Sequence, residues 1–268
     1  MKPVVENPEQ ANFLATAARA PKPRSSGLTH VLDKGMPLEQ LRSYMLSVAG
    51  FIDIWKFGWG TAYLDPEVTG KILELRSHNI RACTGGTLLE IASQQQRSAE
   101  FFDWAAAVGF STLEVSNGAT DMASDVKRSL ITEASRRGFE VLAEVGSKDP
   151  TNYASPSQWT DEIEADLDAG AAFVVAEGRE SGTVGLYEGD GRVREDIVTA
   201  IEALPDRRKI IYEAPRRSQQ AWLMRHIGPN VSVGNIVLSE VMSVESLRLG
   251  LRADTIGITD STCATAHA

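Results

Sequence analysis

The sequence predicts a single (β/α)8 TIM barrel of the α/β class, on two observations. Eight short apolar runs recur along the chain, most of them ending in a carboxylate, a lysine or a glycine pair, and a stretch with helical spacing follows each. The length of 268 residues suits one such barrel, typically about 250 residues, with little left over. In these barrels the carboxyl ends of the strands gather at one face, so polar residues far apart in sequence converge on one ligand. The chain is therefore expected to be an enzyme.

The first run, Leu28 to Asp33, precedes Leu38, Leu41, Met45, Leu46 and Ala49, whose three- and four-residue spacing lays an apolar stripe along a helix. The second, Phe51 to Lys56, leads to Asp65-Pro66, a capping residue followed by a proline where a missing N–H costs nothing. Ile80 to Gly86 opens a helical stretch from Thr87 to Val108. Thr112 to Glu114, Phe139 to Glu144, Phe173 to Glu177 and Lys209 to Glu213 are the next four runs. Their helices are expected from Asp121 to Arg137, Ser157 to Ala169, Arg194 to Leu204 and Pro215 to Ile227. The eighth run, Val231 to Ile236, carries Asn235 near its end and precedes Glu240 to Leu249. Stop signals at Asn79, Gly109, Gly138, Gly170, Pro205, Gly228 and Gly250 close the helices.

Residues 1–26 form an N-terminal extension, in which Glu9 to Ala20 is expected as a short helix ended by Pro21 and Pro23. The barrel occupies 27–252, and 253–268 is a Thr, Ala and Ser-rich tail with little to bury. Hydrophobic content of 43% and charged content of 24% are those of a folded globular chain. With 27 basic against 36 acidic side chains the formal charge is −9, which disfavours a general nucleic-acid binder. Cys83 and Cys263 are too few for a disulfide framework, so a reducing, cytoplasmic setting is expected. No apolar stretch approaches the length of a membrane span, and no export signal opens the chain.

Glu114, Glu144, Glu177 and Glu213 end the fourth to seventh runs, and Asp33 ends the first. Carboxylates crowded at one mouth resist joint ionisation unless something positive sits among them. Ion pairs with Lys56, Arg179 or Arg216 would satisfy that condition, and so would a divalent ion, for which oxygen ligands and few histidines favour Mg2+ or Mn2+. Lys56, in Lys56-Phe57-Gly58-Trp59-Gly60-Thr61, can bind an anion, form a Schiff base or neutralise a neighbouring acid. The glycines beside Trp59 allow either close approach by a ligand or a tight turn with Trp59 as packing. Gly85-Gly86-Thr87 offers backbone N–H groups at a helix start, a weak anion signal. Arg179 can clamp an anion through two parallel bonds, with Glu180 as its alternative partner. Arg216 and Arg217 open a helix after the seventh run, where barrels commonly hold phosphate. Lys148, four residues after Glu144, is either a proton donor or a solvated loop residue. His30 alternates with Asp33 and is expected to face the helices. No Gly-x-Ser-x-Gly elbow supports serine catalysis.

Several segments together carry a resemblance. They are Gly27-Leu28-Thr29 with Asp33-Lys34-Gly35, Lys56 to Thr61, Gly85-Gly86-Thr87-Leu88 with Glu90, Glu144-Val145-Gly146, Glu177 to Gly182, Glu213-Ala214-Pro215 with Ser218-Gln219-Gln220, and Leu247-Arg248 with Gly250-Leu251-Arg252. In order and nearly without gaps from 27 to 255, they resemble the phosphosulfolactate synthase family. The resemblance implies a homo-oligomeric (β/α)8 lyase that adds sulfite to C3 of phosphoenolpyruvate with Mg2+, giving (2R)-phospho-3-sulfolactate, an early intermediate on one route to coenzyme M. It implies Lys148 as proton donor to C2, Glu144 and Lys56 as further catalytic groups, and substrate contacts from Asp33, Lys34, Arg179, Arg216, Arg217 and Asn235. The metal would fall to Glu114, Glu144, Glu177 and Glu213. The chain departs from the family pattern at Ser147, at Asn117 in Ser116-Asn117-Gly118, and at Arg216-Arg217. Two alternatives stay open: another nucleophile, or a non-catalytic role such as that of heat-stress-associated plant proteins similar to the family.

Overall fold

The structure is a computed structural model that describes residues 13–146 and 154–258. Strand and helix alternate as β1 (Thr29–Asp33), α1 (Leu38–Val48), β2 (Ile54–Phe57), α2 (Thr61–Leu64), α3 (Val68–Ser77), β3 (Arg81–Thr84), α4 (Gly86–Gln94) and α5 (Ser98–Val108). The second half continues β4 (Thr112–Val115), α6 (Ser124–Arg136), β5 (Glu140–Val145), α7 (Pro156–Asp168) and β6 (Phe173–Ala176). It ends with α8 (Glu195–Glu202), β7 (Ile210–Glu213), α9 (Arg217–His226), β8 (Ser232–Ile236) and α10 (Val241–Arg248). All strand pairs are parallel, and β1 pairs with β8, closing the barrel. The expected (β/α)8 architecture is therefore present.

Alternation along the strands divides the core into two layers. Trp55, Phe57, Leu113, Val115, Val141, Val174 and Tyr212 turn outward and pack among the apolar faces of the helices. Leu28, Ile54, Cys83, Leu142, Phe173, Val175 and Ile211 fill the lumen. Every lumen-facing position above that plug is polar, and this gradient places the site.

The sequence-based phase of β1 is corrected here. Leu28 belongs to the lumen plug and Val31 to the outer core, so His30 turns inward and Asp33 outward, opposite to the expected arrangement. Asp33 instead organises the loop after its strand: its Oδ1 accepts from the N–H groups of Gly35 and Met36, each at 2.9 Å. Its Oδ2 lies 3.9 Å from the Lys71 ammonium, which also pairs with Asp65. A carboxylate that saturates its own turn has little capacity left for the mouth.

Two other boundaries moved. The stretch from Thr87 to Val108 is two helices, broken at Gln95 to Arg97, with Gln96 at φ 58° in the left-handed region. Residues 13–20 contain no helix. They pack against the amino-terminal end of the barrel, where Arg19 pairs with Glu245 at 2.9 Å and Arg24 with Asp53 at 3.0 Å. At the far end, Thr255 is buried and donates to Leu247 O at 2.7 Å, so the chain stays anchored beyond 252. No helix among the described residues is long and apolar enough to cross a membrane.

Behind β5, the fully buried Lys127 donates to Glu144 O at 2.6 Å and pairs with Glu162 at 2.8 Å and Asp166 at 2.7 Å. Removing one partner of a buried pair strands the other charge in a low-dielectric interior. Lys127→Met is expected to lose about 3–5 kcal/mol of unfolding free energy. Urea denaturation followed by circular dichroism checks this; a loss under about 1 kcal/mol would place the network among the weak surface pairs.

Candidate active site

Lys56 is the last inward residue of β2, and its ammonium lies buried on the barrel axis side between β4 and β7. It donates to Glu114 Oε2 at 3.0 Å and to Glu213 Oε1 at 3.1 Å. Each carboxylate then reaches outward with its other oxygen. Glu114 Oε1 accepts from Gly86 N–H at 2.9 Å, which fixes the start of α4. Glu213 Oε2 accepts from the N–H groups of Gly178 and Arg179, both at 2.9 Å, which fixes the loop after β6. One lysine and two glutamates thus tie four strand ends together.

The charge balance is uneven. Burial by itself would lower the pKa of Lys56, yet Glu114, Glu213 and Glu144 together hold it well above its ordinary value. The same crowding works against the acids: burial pushes Glu114 up to about 7, Lys56 opposes the shift, and Glu144 and Glu213 add to it. Three carboxylates facing one ammonium keep the lysine charged and make one acid surrender its proton first. A Schiff-base role for Lys56 is disfavoured on this ground, because its amine is held protonated.

Above Lys56 opens a cavity of about 260 Å3 lined by Trp59, Gly85, Gly86, Thr87, Glu114, Ala119, Glu144, Glu177, Arg179, Glu180, Glu213 and Asn235. Larger clefts, of about 430 and 400 Å3, lie at the opposite end around Arg207-Arg208 and Arg76-Arg81. Barrel enzymes act at the carboxyl face, and only the smaller cavity collects strand-end carboxylates, so we assign the site there. Gly86 is required at its wall, since a Cβ would run into the Ser116 side chain. Ser116 donates to the buried Glu90, whose Oε2 also accepts from the N–H groups of Ala119 and Thr120 at 2.9 Å each. Glu90 is thus the clamp for the loop after β4. Asn235 enters through a bulge in β8, where Thr29 and Val31 are opposed by Val233 and Ile236, and its φ of 54° is left-handed. Its Oδ1 is buried without a hydrogen-bond partner among the described residues.

Of the residues expected from sequence, Lys56, Glu114, Glu144, Glu177, Glu213, Arg179 and Asn235 come together at this cavity. Asp33 does not, for the reason given above. Lys34 stands at the rim, 4.9 Å above the Trp59 ring. Arg216 turns away to donate to Ser181 O at 2.7 Å, and Arg217 lies exposed near Asp254, so neither lines the cavity. Lys148 lies outside the described residues. A site of four carboxylates around one ion is not formed, because Glu114 and Glu213 already serve Lys56 and backbone N–H groups. Among the described residues no group of three or more acidic, His or Cys side chains is arranged for a metal. Sequence reasoning missed His30, which is wholly buried in the lumen. Burial first, then Lys56 and, more weakly, Arg81, hold its imidazole well below the usual pKa, against the opposing pull of Glu144. The missed signal was Leu28, Leu32 and His30 sharing one phase.

With this geometry in view, comparison with known proteins is decisive. The family model described as (2R)-phospho-3-sulfolactate synthase (ComA) matches residues 17–254. The chain belongs to the phosphosulfolactate synthase family. A phosphosulfolactate synthase of Methanothermobacter thermautotrophicus is 41% identical over 247 residues, covering 90% of this chain and 96% of that protein. Those of Methanocaldococcus jannaschii and Bacillus subtilis are 40% and 38% identical, over 86% and 90% of this chain and 94% and 97% of theirs. Among solved structures, 3-hexulose-6-phosphate synthase from Salmonella typhimurium aligns with a TM-score of 0.54 at 14% identity, over 82% of this chain and 98% of that one. The Amycolatopsis orientalis BexX/CysO complex gives 0.54 at 15%, over 88% and 91%. These two likenesses speak to the fold alone; membership of the synthase family supports an enzyme.

The raised pKa of Glu114 has a sign that can be measured. Between the ordinary value of 4.5 and about 7, the folded chain keeps a proton that the unfolded chain has released. Glu114 therefore favours folding less and less as pH rises through that window. Glu114→Gln should show a shallower fall of unfolding free energy between pH 5 and 7.5 than wild type, read by chemical denaturation at several pH values. Parallel slopes would show that Glu114 ionises normally.

Proposed function

We propose that this protein adds sulfite to C3 of phosphoenolpyruvate, giving (2R)-phospho-3-sulfolactate. The observation that carries the reading is the mouth cavity of a chain in this family, where one rigid ammonium and Arg179 face five lining carboxylates, Glu114, Glu144, Glu177, Glu180 and Glu213. Such a lining repels a multiply anionic substrate unless further positive charge enters with it. The donors fit an oxygen-liganded divalent ion, since Mg2+ is commonly held by one or two carboxylates with substrate oxygens and water completing its shell. Glu144 and Glu177 would hold it, and the buried Asn235 Oδ1 is a further oxygen at the same wall. When bound, Mg2+ supplies positive charge against the substrate carboxylate, where enolate-like charge builds during addition.

The chain's own groups supply position and the proton. Lys56, fixed by Glu114 and Glu213, presents an ammonium that does not move when charge develops, which is the condition for strong electrostatic stabilisation. Arg179 is held at φ 55° by the carboxylates of Glu177 and Glu213 on its N–H, so its guanidinium starts from a fixed backbone at the rim. The sulfur lone pair of sulfite forms the new bond to C3, and the C2–C3 π pair moves toward C2 and the carboxylate. Lys148, which follows the Glu144-Val145-Gly146 end of β5, then gives its proton to C2 and regains one from solvent. The phosphate ester stays intact.

Purified protein given phosphoenolpyruvate, sulfite and Mg2+ should consume phosphoenolpyruvate without releasing inorganic phosphate, with a product heavier by one sulfite and its proton in mass spectrometry. EDTA should abolish turnover, and Mg2+ or Mn2+ should restore it. Lys56→Met and Lys148→Ala should each lower kcat at least about 100-fold, the scale of losing one charge-stabilising or proton-transfer group. No consumption with either ion, or a product that lacks sulfur, would overturn the reading.

A further inference from the structure

Trp59 holds a backbone conformation that its side chain does not favour. Its φ is 50° and ψ 32°, left-handed, in the turn directly after β2, and Gly60 continues left-handed at φ 72°. A bulky aromatic in that region is an outlier that persists only where its surroundings dictate it. Here they do. The neighbouring turn packs against it backbone to backbone: Gly85 N–H donates to Phe57 O at 2.9 Å, and a Cβ on Gly85 would sit 3.0 Å from that oxygen and 3.7 Å from Trp59 N. The outcome is an indole that is 51% exposed while lining the mouth cavity.

The opposite loop is organised to meet it. Asp33, anchored near Lys71, accepts from Gly35 and Met36 and so bends the chain at Lys34, whose ammonium lies 4.9 Å from the centre of the Trp59 ring. A cation over an indole face is attracted by the ring quadrupole while its remaining donors stay available to an anion. Building on the anionic substrate of the proposed function, we propose that Trp59 is a positioning residue that seats Lys34 at the rim, where the seated ammonium receives the incoming anion. The same pairing accounts for the strain, because only the left-handed turn swings the indole from the outer packing of β2 to the rim beneath Lys34.

Two measurements on the full chain test this. Iodide quenching of Trp59 fluorescence, isolated by subtracting Trp59→Phe, should fall at least twofold in Lys34→Met at low salt, while quenching by neutral acrylamide stays the same. This arm uses an inorganic anion and decides the pairing even if sulfite addition proves mistaken. In turnover, Trp59→Ala and Lys34→Met should each raise KM for phosphoenolpyruvate about tenfold with kcat within about twofold, and the double variant should be no worse than either single one. Trp59→Phe, which keeps an aromatic face, should recover most of the loss. Equal iodide quenching with and without Lys34, or single effects that multiply in the double variant, would overturn the proposal.

Discussion

A single buried ammonium governs the carboxyl face of this barrel. Placing Lys56 in the lumen costs several kcal/mol of lost hydration unless charged partners surround it. The barrel meets that cost with Glu114 and Glu213, which approach from opposite sides of the closed sheet. Because each glutamate has a second oxygen, the requirement propagates. Glu114 captures the first N–H of α4, and Glu213 captures two consecutive N–H groups after β6. Loop geometry at the mouth is therefore a consequence of charge compensation in the core, and the lysine acts as the hub from which the rim is built.

Much of this was legible because barrel strands are punctuated by chemistry. Runs that end at Lys56, Glu114, Glu144, Glu177 and Glu213 announced both the strand ends and the polar layer above the lumen plug. Phase was harder to read. A strand buried on both faces lacks the polar–apolar alternation that tells inside from outside, so a histidine and an aspartate three residues apart in β1 could be assigned either way. Here the helix layer takes Val31 and the lumen takes His30. The roles of Asp33, Arg216 and Arg217 went astray for a related reason. A polar residue at a strand end or helix start can serve the substrate or its own loop, and Asp33 with its two N–H partners and Arg216 with Ser181 O serve the loop. The break between α4 and α5 left little trace, since Gln96 is an ordinary helix former whose left-handed turn is imposed by packing.

The loops divide their work by element. Those after β2, β3 and β4 are fastened to one another: Phe57 O to Gly85, Gly86 to Glu114, Glu90 to Ser116, Ala119 and Thr120. The long segment after β6 is held instead by Glu213, by Tyr187 donating to Glu213 O, and by Gln219 donating to Gly182 O at 2.9 Å. Arg179 and Glu180 ride on this segment, so the half of the rim that carries a mobile cation depends on β7 and α9 for its position. Lys127, behind β5, fixes the Glu144 carbonyl from the helix side. Rigid placement of the acids from below and adjustable cations from above is what an anion-binding cavity with an acidic lining requires.

The excess of carboxylates also constrains how ligands can bind. With Lys56 already shared between two acids, a multiply charged anion entering by itself meets Glu144, Glu177 and Glu180 uncompensated, while a divalent ion entering by itself meets Lys56 and Arg179. Each lowers the cost of the other. On the proposed reading the two affinities must therefore be coupled, and by linkage the factor by which the ion tightens substrate binding equals the factor by which substrate tightens the ion. The raised pKa of Glu114 follows from the same imbalance, for a proton is the smallest cation that can relieve it when no larger one is present. Proton, metal and substrate thus compete or cooperate through one electrostatic balance, and the ammonium at the centre sets its zero.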